Sequence, residues 1–428
     1  MRAYAPMTKC AFIPNFFKFY NILWQAGLPF LKRNPRICAS FSKRTRAFHL
    51  QRADIWIQAA SAGEAFLALS IIKNLKPDHP TTLLVTTTTD QGFDILKQGL
   101  GDLRLHPNIQ LRVDWFPFDI PDTVKEAVKR VNPKVMVLLE TELWPALLYE
   151  LKINRTKILI LNARLSKSSH RNYKATKALW NRLAPDTILT TSFRDAQRYT
   201  HIFPDARVGR IENIKFDIME TGPQKTKSQP CDLILPKDLP LSILASVRRQ
   251  EEPEMVKLIS ALKKGYPNQV ITVFPRHMHR IKKIQKKLTR AGLSFCLRST
   301  LNSPLTGPGI ILWDQFGELR SAYGRASAVF VGGSLHPLGG QNFIEPAVLG
   351  IPTVIGPYWE DFAWVGKEIF NLDLVTQCHD WTSVAQTMIA LLNTPKDPLV
   401  GITCAQAYID TRKGGSKTAC KAILDKLG

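Results

Sequence analysis

The sequence predicts an α/β protein built from two doubly wound parallel-sheet domains, and three observations lead there. From residue 54 onward, short runs rich in Val, Ile, Leu and Thr alternate with helical patterns, as strands covered on both faces by crossover helices do. The alternation breaks at the proline-containing stretch 217–240 and restarts with no repeat of sequence. The 428 residues, 45% of them hydrophobic, exceed one comfortable core. The expected division is 1–48 as an N-terminal membrane-interface segment, 49–216 and 241–428 as Rossmann-like domains, and 217–240 as the linker between them; a C-terminal helix is counted in 241–428, with residues 405–428 packing back on the first domain as the other reading.

Taken in order, residues 12–31 are the most apolar stretch. Pro14, Lys18, Asn21, Gln25 and Pro29 interrupt the ~20 residues that a spanning helix needs. Aromatic residues followed by Lys32, Arg33, Arg36, Lys43, Arg44 and Arg46 suit a segment lying in the interface of an anionic leaflet. A helix packed on the domain surface is the other reading. No small-residue cleavage site follows a clean apolar core, so no signal peptide is expected and the globular part is expected on the cytoplasmic side.

In the first domain the runs IWIQAA, TLLVTTTT, VMVLLE, ILILNA and ILTTS each precede a helical pattern. In the second, SILASV, QVITVFP, GIILWD and AVFV do the same, and TVI is the strand that follows the last of these helices. Ligands of such sheets bind at the carboxyl ends of the strands.

Lys and Arg total 58 against 35 Asp and Glu, so the formal charge of +23 favours anionic partners. No helix-turn-helix, zinc-finger or RNA-binding signature accompanies that charge, and nucleic acid is not expected as a partner. The seven cysteines are scattered, without Cys-x-x-Cys or zinc spacing, which argues against a disulfide framework and a structural metal and fits a reducing compartment.

The second domain's clearest ligand signal lies between Val329 and Phe362. An apolar strand runs into Gly332-Gly333-Ser334, a second pair Gly339-Gly340 follows, and Pro346 has the fixed φ favoured at a first helical position. Glu345 then stands at the mouth of a short helix that Gly350 closes. Free backbone N–H groups and a carboxylate there could grip a nucleotide; an ordinary turn is the plainer reading.

Other candidates cluster at strand ends. Glu64, where the first strand hands over to its helix, can serve as a general base or as an ordinary first-turn glutamate. Glu140 and Glu142 follow an apolar strand, Glu142 with Pro145 also fitting a helix start. Lys215 can meet phosphate or carboxylate, or be a solvated surface lysine. Pro275-Arg276-His277 ends a strand where a guanidinium can clamp phosphate. The lysines of IKKIQKK read as a solvated face or a lipid-headgroup contact. Phe316-Gly317-Glu318 makes a second glycine turn. No Asp-x-Asp occurs, so sugar transfer here would rely on arginine, lysine and helix N-termini rather than metal.

Together these motifs resemble the bacterial 3-deoxy-D-manno-oct-2-ulosonic acid (Kdo) transferases. SAGE, TTTTDQG, ETELWP, NARLS, KFD, PRH, FGEL, FVGGSL, GGQN and EPAVLG come in that family's order from about Asp54 to the C-terminus. The resemblance implies a GT-B glycosyltransferase, with two Rossmann-like domains facing across a cleft, the first for acceptor and the second for donor. It implies transfer of Kdo from CMP-Kdo to a lipid A precursor with inversion, with no cofactor and no metal, at the cytoplasmic side of a Gram-negative inner membrane. It implies Glu64 as general base and Glu140 and Lys215 as stabilisers of the transition state. Pro275, Arg276, Phe316, Gly317, Glu318, Asn342, Phe343, Ile344 and Glu345 are the implied CMP site.

This chain departs from the family where Gln58 and Gln341 replace His, Ala60 replaces Ser, Phe316 replaces Met, and Ser246-Val247-Arg248-Arg249-Gln250-Glu251-Glu252 replaces Ser-Thr-His-x-Gly-Glu-Glu. A GT-B transferase or epimerase using another nucleotide sugar is the alternative. A noncatalytic basic protein on a membrane or nucleic acid ranks last.

Overall fold

The computed structural model describes residues 12–33, 40–221, 234–236 and 238–428. It divides into two compact units, Met1–Ile218 with Arg412–Gly428, and Met219–Thr411. The closing helix therefore belongs to the first unit, a correction to the division read from sequence. Most of the expected linker, 222–233 and 237, lies outside the described residues, as do 1–11 and 34–39 of the N-terminal segment.

The first unit holds strands β1 (Ile55–Gln58), β2 (Thr81–Thr87), β3 (Ile109–Trp115), β4 (Val135–Leu139), β5 (Lys157–Ala163), β6 (Thr187–Thr190) and β7 (Arg207–Arg210). They form one parallel sheet in the order β3-β2-β1-β4-β5-β6-β7, so the winding reverses between β1 and β4. Successive residues serve opposite faces: Ile55, Ile57, Val135, Val137 and Leu139 pack in one core cluster and Trp56, Met136 and Leu138 in the other. Burial on both faces is why these strands read as continuous apolar runs.

The helix Gly415–Leu427 packs Ala419, Cys420 and Ile423 on the same face as the helix Ala62–Asn74. Its entry is fixed by Asp217, whose carboxylate accepts from the amides of Gly414 (2.7 Å) and Ser416, and by a Ser70–Ser416 hydroxyl contact of 2.8 Å. Gly415 is obligatory because a Cβ there would lie 2.2 Å from the Glu212 carbonyl oxygen.

The helix Phe12–Lys32 packs one side on this unit. Phe17 is buried with its ring 4.8 Å from Tyr149, and Tyr20 donates to Asp119 at 2.9 Å. The other side exposes Phe19, Ile22, Leu23, Ala26 and Phe30, spaced along one helical stripe, with Lys18 and Lys32 beside them. Among the described residues no helix is long and apolar enough to cross a membrane.

The second unit holds β8 (Leu241–Val247), β9 (Val270–Pro275), β10 (Cys296–Leu297), β11 (Gly309–Leu312), β12 (Ala328–Val331), β13 (Thr353–Ile355) and β14 (Val375–Gln377). Again all are parallel, in the order β10-β11-β9-β8-β12-β13-β14, with the switch between β8 and β12. The IKKIQKK lysines are not all solvated. Lys287 pairs with the buried Glu252 at 2.9 Å, and Arg280 holds the same carboxylate at 2.7 and 2.8 Å.

Candidate active site

In the first unit the switch-point strands β1 and β4 deliver the acids. Glu64 is the third residue of the helix that follows β1, where Ser61 and Glu64 form a reciprocal capping box: Ser61 N donates to Glu64 Oε2 at 3.0 Å and Glu64 N to Ser61 Oγ at 3.3 Å. Glu64 is thus a first-turn glutamate, the alternative read from sequence, and the structure adds the capping box. The box does not hold the carboxyl at an ordinary pKa. Burial, then the charges of Glu142 and Glu140, push it up to about 8 against the backbone bonds from Ser61 and Ala60.

Glu140 follows β4 in a left-handed conformation, φ +54°, uncommon for a residue with a Cβ. Its Oε1 accepts from Lys215 Nζ at 2.7 Å. Lys215 sits in the 3₁₀ turn Ile214–Ile218, which two asparagines hold: Ile214 N donates to Asn162 Oδ1 and Lys215 N to Asn213 Oδ1. Glu64, Glu140 and Lys215 come from three separate segments, and the structure brings them into one electrostatic neighbourhood.

Three further residues join this neighbourhood: Glu142, already a candidate at its strand end, and Gln58 and Arg44, which were not read as site residues. Glu142 accepts from Trp144 Nε1 at 2.7 Å, and burial raises its pKa. Buried Gln58 accepts from Thr86 Oγ1 at 2.6 Å, and its side-chain amide opposes the burial that raises the Glu142 pKa. Arg44 corrects the reading of the basic run. Instead of facing headgroups it is buried, donating to the carbonyls of Phe116 (3.0 Å) and Thr88 (3.1 Å), its guanidinium 4.2 Å from the Phe118 ring centroid. Burial lowers its pKa to about 10, and Glu142 opposes that shift. A basic run looks alike in sequence whether solvated or buried.

In the second unit the glycine loop differs from expectation in one respect. Its amides are not free. Glu251, buried beside β8, accepts from Gly333 N (2.6 Å), Ser334 N (2.9 Å) and Leu335 N (3.0 Å), and from Arg248 N at 3.0 Å. The concavity that could hold a phosphate already holds a carboxylate of the same chain. Gly339 and Gly340 have φ +83° and +85°, and Cβ atoms there would meet Asp361 and Trp359. These glycines admit neighbouring protein rather than ligand.

The remaining predicted residues divide by exposure. Arg276 stands exposed at the end of β9, and Phe316 is 82% exposed before Gly317, φ +91°. Glu318 is tied to Arg298 at 2.9 and 3.1 Å and to Trp313 Nε1 at 3.0 Å. Asn342 donates to Glu345 Oε1 at 2.7 Å, and burial raises the Glu345 pKa while Arg320 opposes it. Pro275, Phe343 and Ile344 are buried, so their side chains serve the core and only their backbone remains for a ligand. Pro346 occupies the third helical position of Ile344–Val348 rather than the first. Among the described residues no group of three His, Cys, Asp or Glu is placed to hold a metal ion.

Residues 35–218 match the model of the family described as 3-deoxy-D-manno-octulosonic-acid transferase (kdotransferase). The chain is 29% identical over 347 residues to the 3-deoxy-D-manno-octulosonic acid transferase of Haemophilus influenzae, covering 79% of each. It is 28% identical over 386 residues to that of Bordetella pertussis, covering 88% of each. Among solved structures, a glycosyltransferase from Rickettsia africae superposes with a TM-score of 0.56 at 12% identity, over 88% of this chain and 99% of that one. Anabaena HepE in complex with UDP gives 0.55 at 15% identity, over 87% and 99%. At those identities the likeness is one of fold, and the fold is GT-B.

Proposed function

We propose that the chain is a glycosyltransferase of the Kdo transferase family, to whose members it is similar, and that it moves Kdo from CMP-Kdo to a hydroxyl of a lipid A precursor, lipid IVA. The reading includes inversion and no bound metal. The observation that carries it is Glu64: a carboxyl buried at the switch-point edge, its pKa raised to about 8, next to the paired Glu140 and Lys215. A carboxyl titrating near the working pH can take a proton in the transition state.

In that step the acceptor oxygen attacks the anomeric carbon and gives its proton to Glu64. The bond from that carbon to the CMP phosphate breaks, and its electron pair leaves on the phosphate oxygen. Lys215, oriented by Glu140, offsets developing negative charge. Arg276 takes the phosphate, Glu345 with Asn342 the ribose hydroxyls, and the exposed Phe316 ring a face of the base. The stripe of Phe19, Ile22, Leu23 and Phe30, flanked by lysines, would lie on the anionic cytoplasmic surface of the inner membrane, where the acceptor resides.

Mass measurement of the product from purified protein, CMP-Kdo and lipid IVA tests the whole reading. A gain of one or more Kdo units is expected, and an unchanged acceptor overturns it. Competition of CMP against UDP separates this reading from a GT-B transferase or epimerase that uses another nucleotide sugar.

A further inference from the structure

The acids that follow β8 are all engaged within the second unit. Glu251 fills the glycine loop, Glu252 holds Arg280 and Lys287, and Glu254 stands 3.6 Å from His336. The arginines of the same edge have no such partners. Val247 pairs with Pro275 across the β8–β9 ladder, and Arg276 N donates to Val247 O at 2.9 Å, so Arg248 and Arg276 leave their strands side by side. Among the described residues no carboxylate lies within ion-pair distance of either guanidinium. The exposed His277 registers both: desolvation, then the charges of Arg248, Arg276 and His279, hold it below the usual histidine range.

Two further features place this pair. β8 flanks the switch point of the second sheet, the position at which doubly wound sheets bind ligands. Just before Arg248 the β8–β9 register shifts between Leu244 and Val247, and Ser246 takes φ +54°. Such a shift re-aims the chain next to functional sites. Adjacent like charges with no counterion repel each other until an anion arrives.

Resting on the donor reading above, we propose that Arg248 determines specificity by binding the carboxylate of a ulosonic-acid donor, while Arg276 takes its phosphate. In a CMP-activated ulosonic acid the carboxylate and the phosphate oxygen are both attached to the anomeric carbon. Two anions separated by one carbon match two neighbouring guanidinium forks. A UDP-hexose carries its charges in the diphosphate and has no carboxylate on that carbon. During transfer the carboxylate stays with the sugar and the phosphate leaves with CMP, so Arg248 holds the migrating group and Arg276 the leaving group.

The test is equilibrium binding of CMP and of CMP-Kdo to the full-length protein and to its Arg248→Gln and Arg248→Lys variants. Arg248→Gln should weaken CMP-Kdo roughly ten- to hundred-fold, leave CMP within about twofold, and be partly rescued by Arg248→Lys. Retained CMP binding also shows that the variant is folded. Equal weakening of CMP and CMP-Kdo, or no change in either, overturns the inference. Wild-type protein that binds CMP-Kdo but transfers nothing would sink the transfer reading and leave Arg248 standing; failure to bind CMP-Kdo would sink both.

Discussion

Glu251 Oε2 accepts the Gly333 amide at 2.6 Å, joining residues 82 positions apart in the chain. One carboxylate thereby satisfies the turn that leads out of β12, and a buried amide deprived of it costs about 1 to 3 kcal/mol. Glu251→Ala strands the Gly333, Ser334 and Leu335 amides together. The expected loss of the second unit's stability is about 3 kcal/mol or more, with CMP affinity falling as the loop reorganises. An unchanged denaturant midpoint would refute this role.

Glu64 should make both stability and activity depend on pH. The folded protein keeps its proton between the ordinary value of 4.5 and about 8, where the unfolded chain has released it. Stability from this group is therefore present at low pH and lost as pH rises through that window. Glu64→Gln keeps the capping box but cannot ionise. The variant should be the more stable protein above pH 8, by at most about 5 kcal/mol, with no advantage below pH 4.5. Wild-type kcat/KM should climb toward pH 8, and the variant should lose about 10²- to 10⁴-fold. A stability difference independent of pH would count against the assignment.

Lys215 and Glu140 act as a unit in the proposed reaction. Lys215→Ala should lower kcat by about 10²- to 10³-fold while changing stability by only ~1 kcal/mol. Combined with Glu140→Gln, the losses should be far from additive. Additive effects in steady-state kinetics would mean that the 2.7 Å pair is not a functional unit.

Asp217, the last residue of KFD, has a structural task. It caps the closing helix through Gly414 and Ser416. Asp217→Ala should cost about 1 to 2 kcal/mol, read as faster hydrogen exchange confined to the helix Gly415–Leu427. Unaltered protection there would show the cap to be dispensable.

The stripe on the helix Phe12–Lys32 predicts membrane binding without spanning. Phe19→Ser, Ile22→Ser and Leu23→Ser together remove exposed apolar area and leave Phe17 and Tyr20 packed. Flotation with anionic vesicles should drop sharply for the triple variant, and added salt should weaken wild-type binding. Equal flotation of both proteins would dismiss the stripe as a lipid contact.

The sequence by itself determined the two α/β sheets, the interior strands and the positions of Glu64, Glu140, Lys215 and Arg276 at strand ends. Every interior strand was legible because burial on both faces demands an unbroken apolar run. The strands that were not legible are β3, β7, β10 and β14, the four sheet edges. β3 mixes buried and exposed positions, and β10 and β14 are only two and three residues long, so an edge writes no apolar run. Tertiary structure alone decided the rest. It returned the last helix to the first unit, buried Arg44, raised the Glu64 pKa where the helix dipole would have lowered it, and filled the glycine loop with Glu251. Each of these depends on which charges and amides distant segments place within a few ångströms and on how much water they exclude, and neither quantity is written in local spacing.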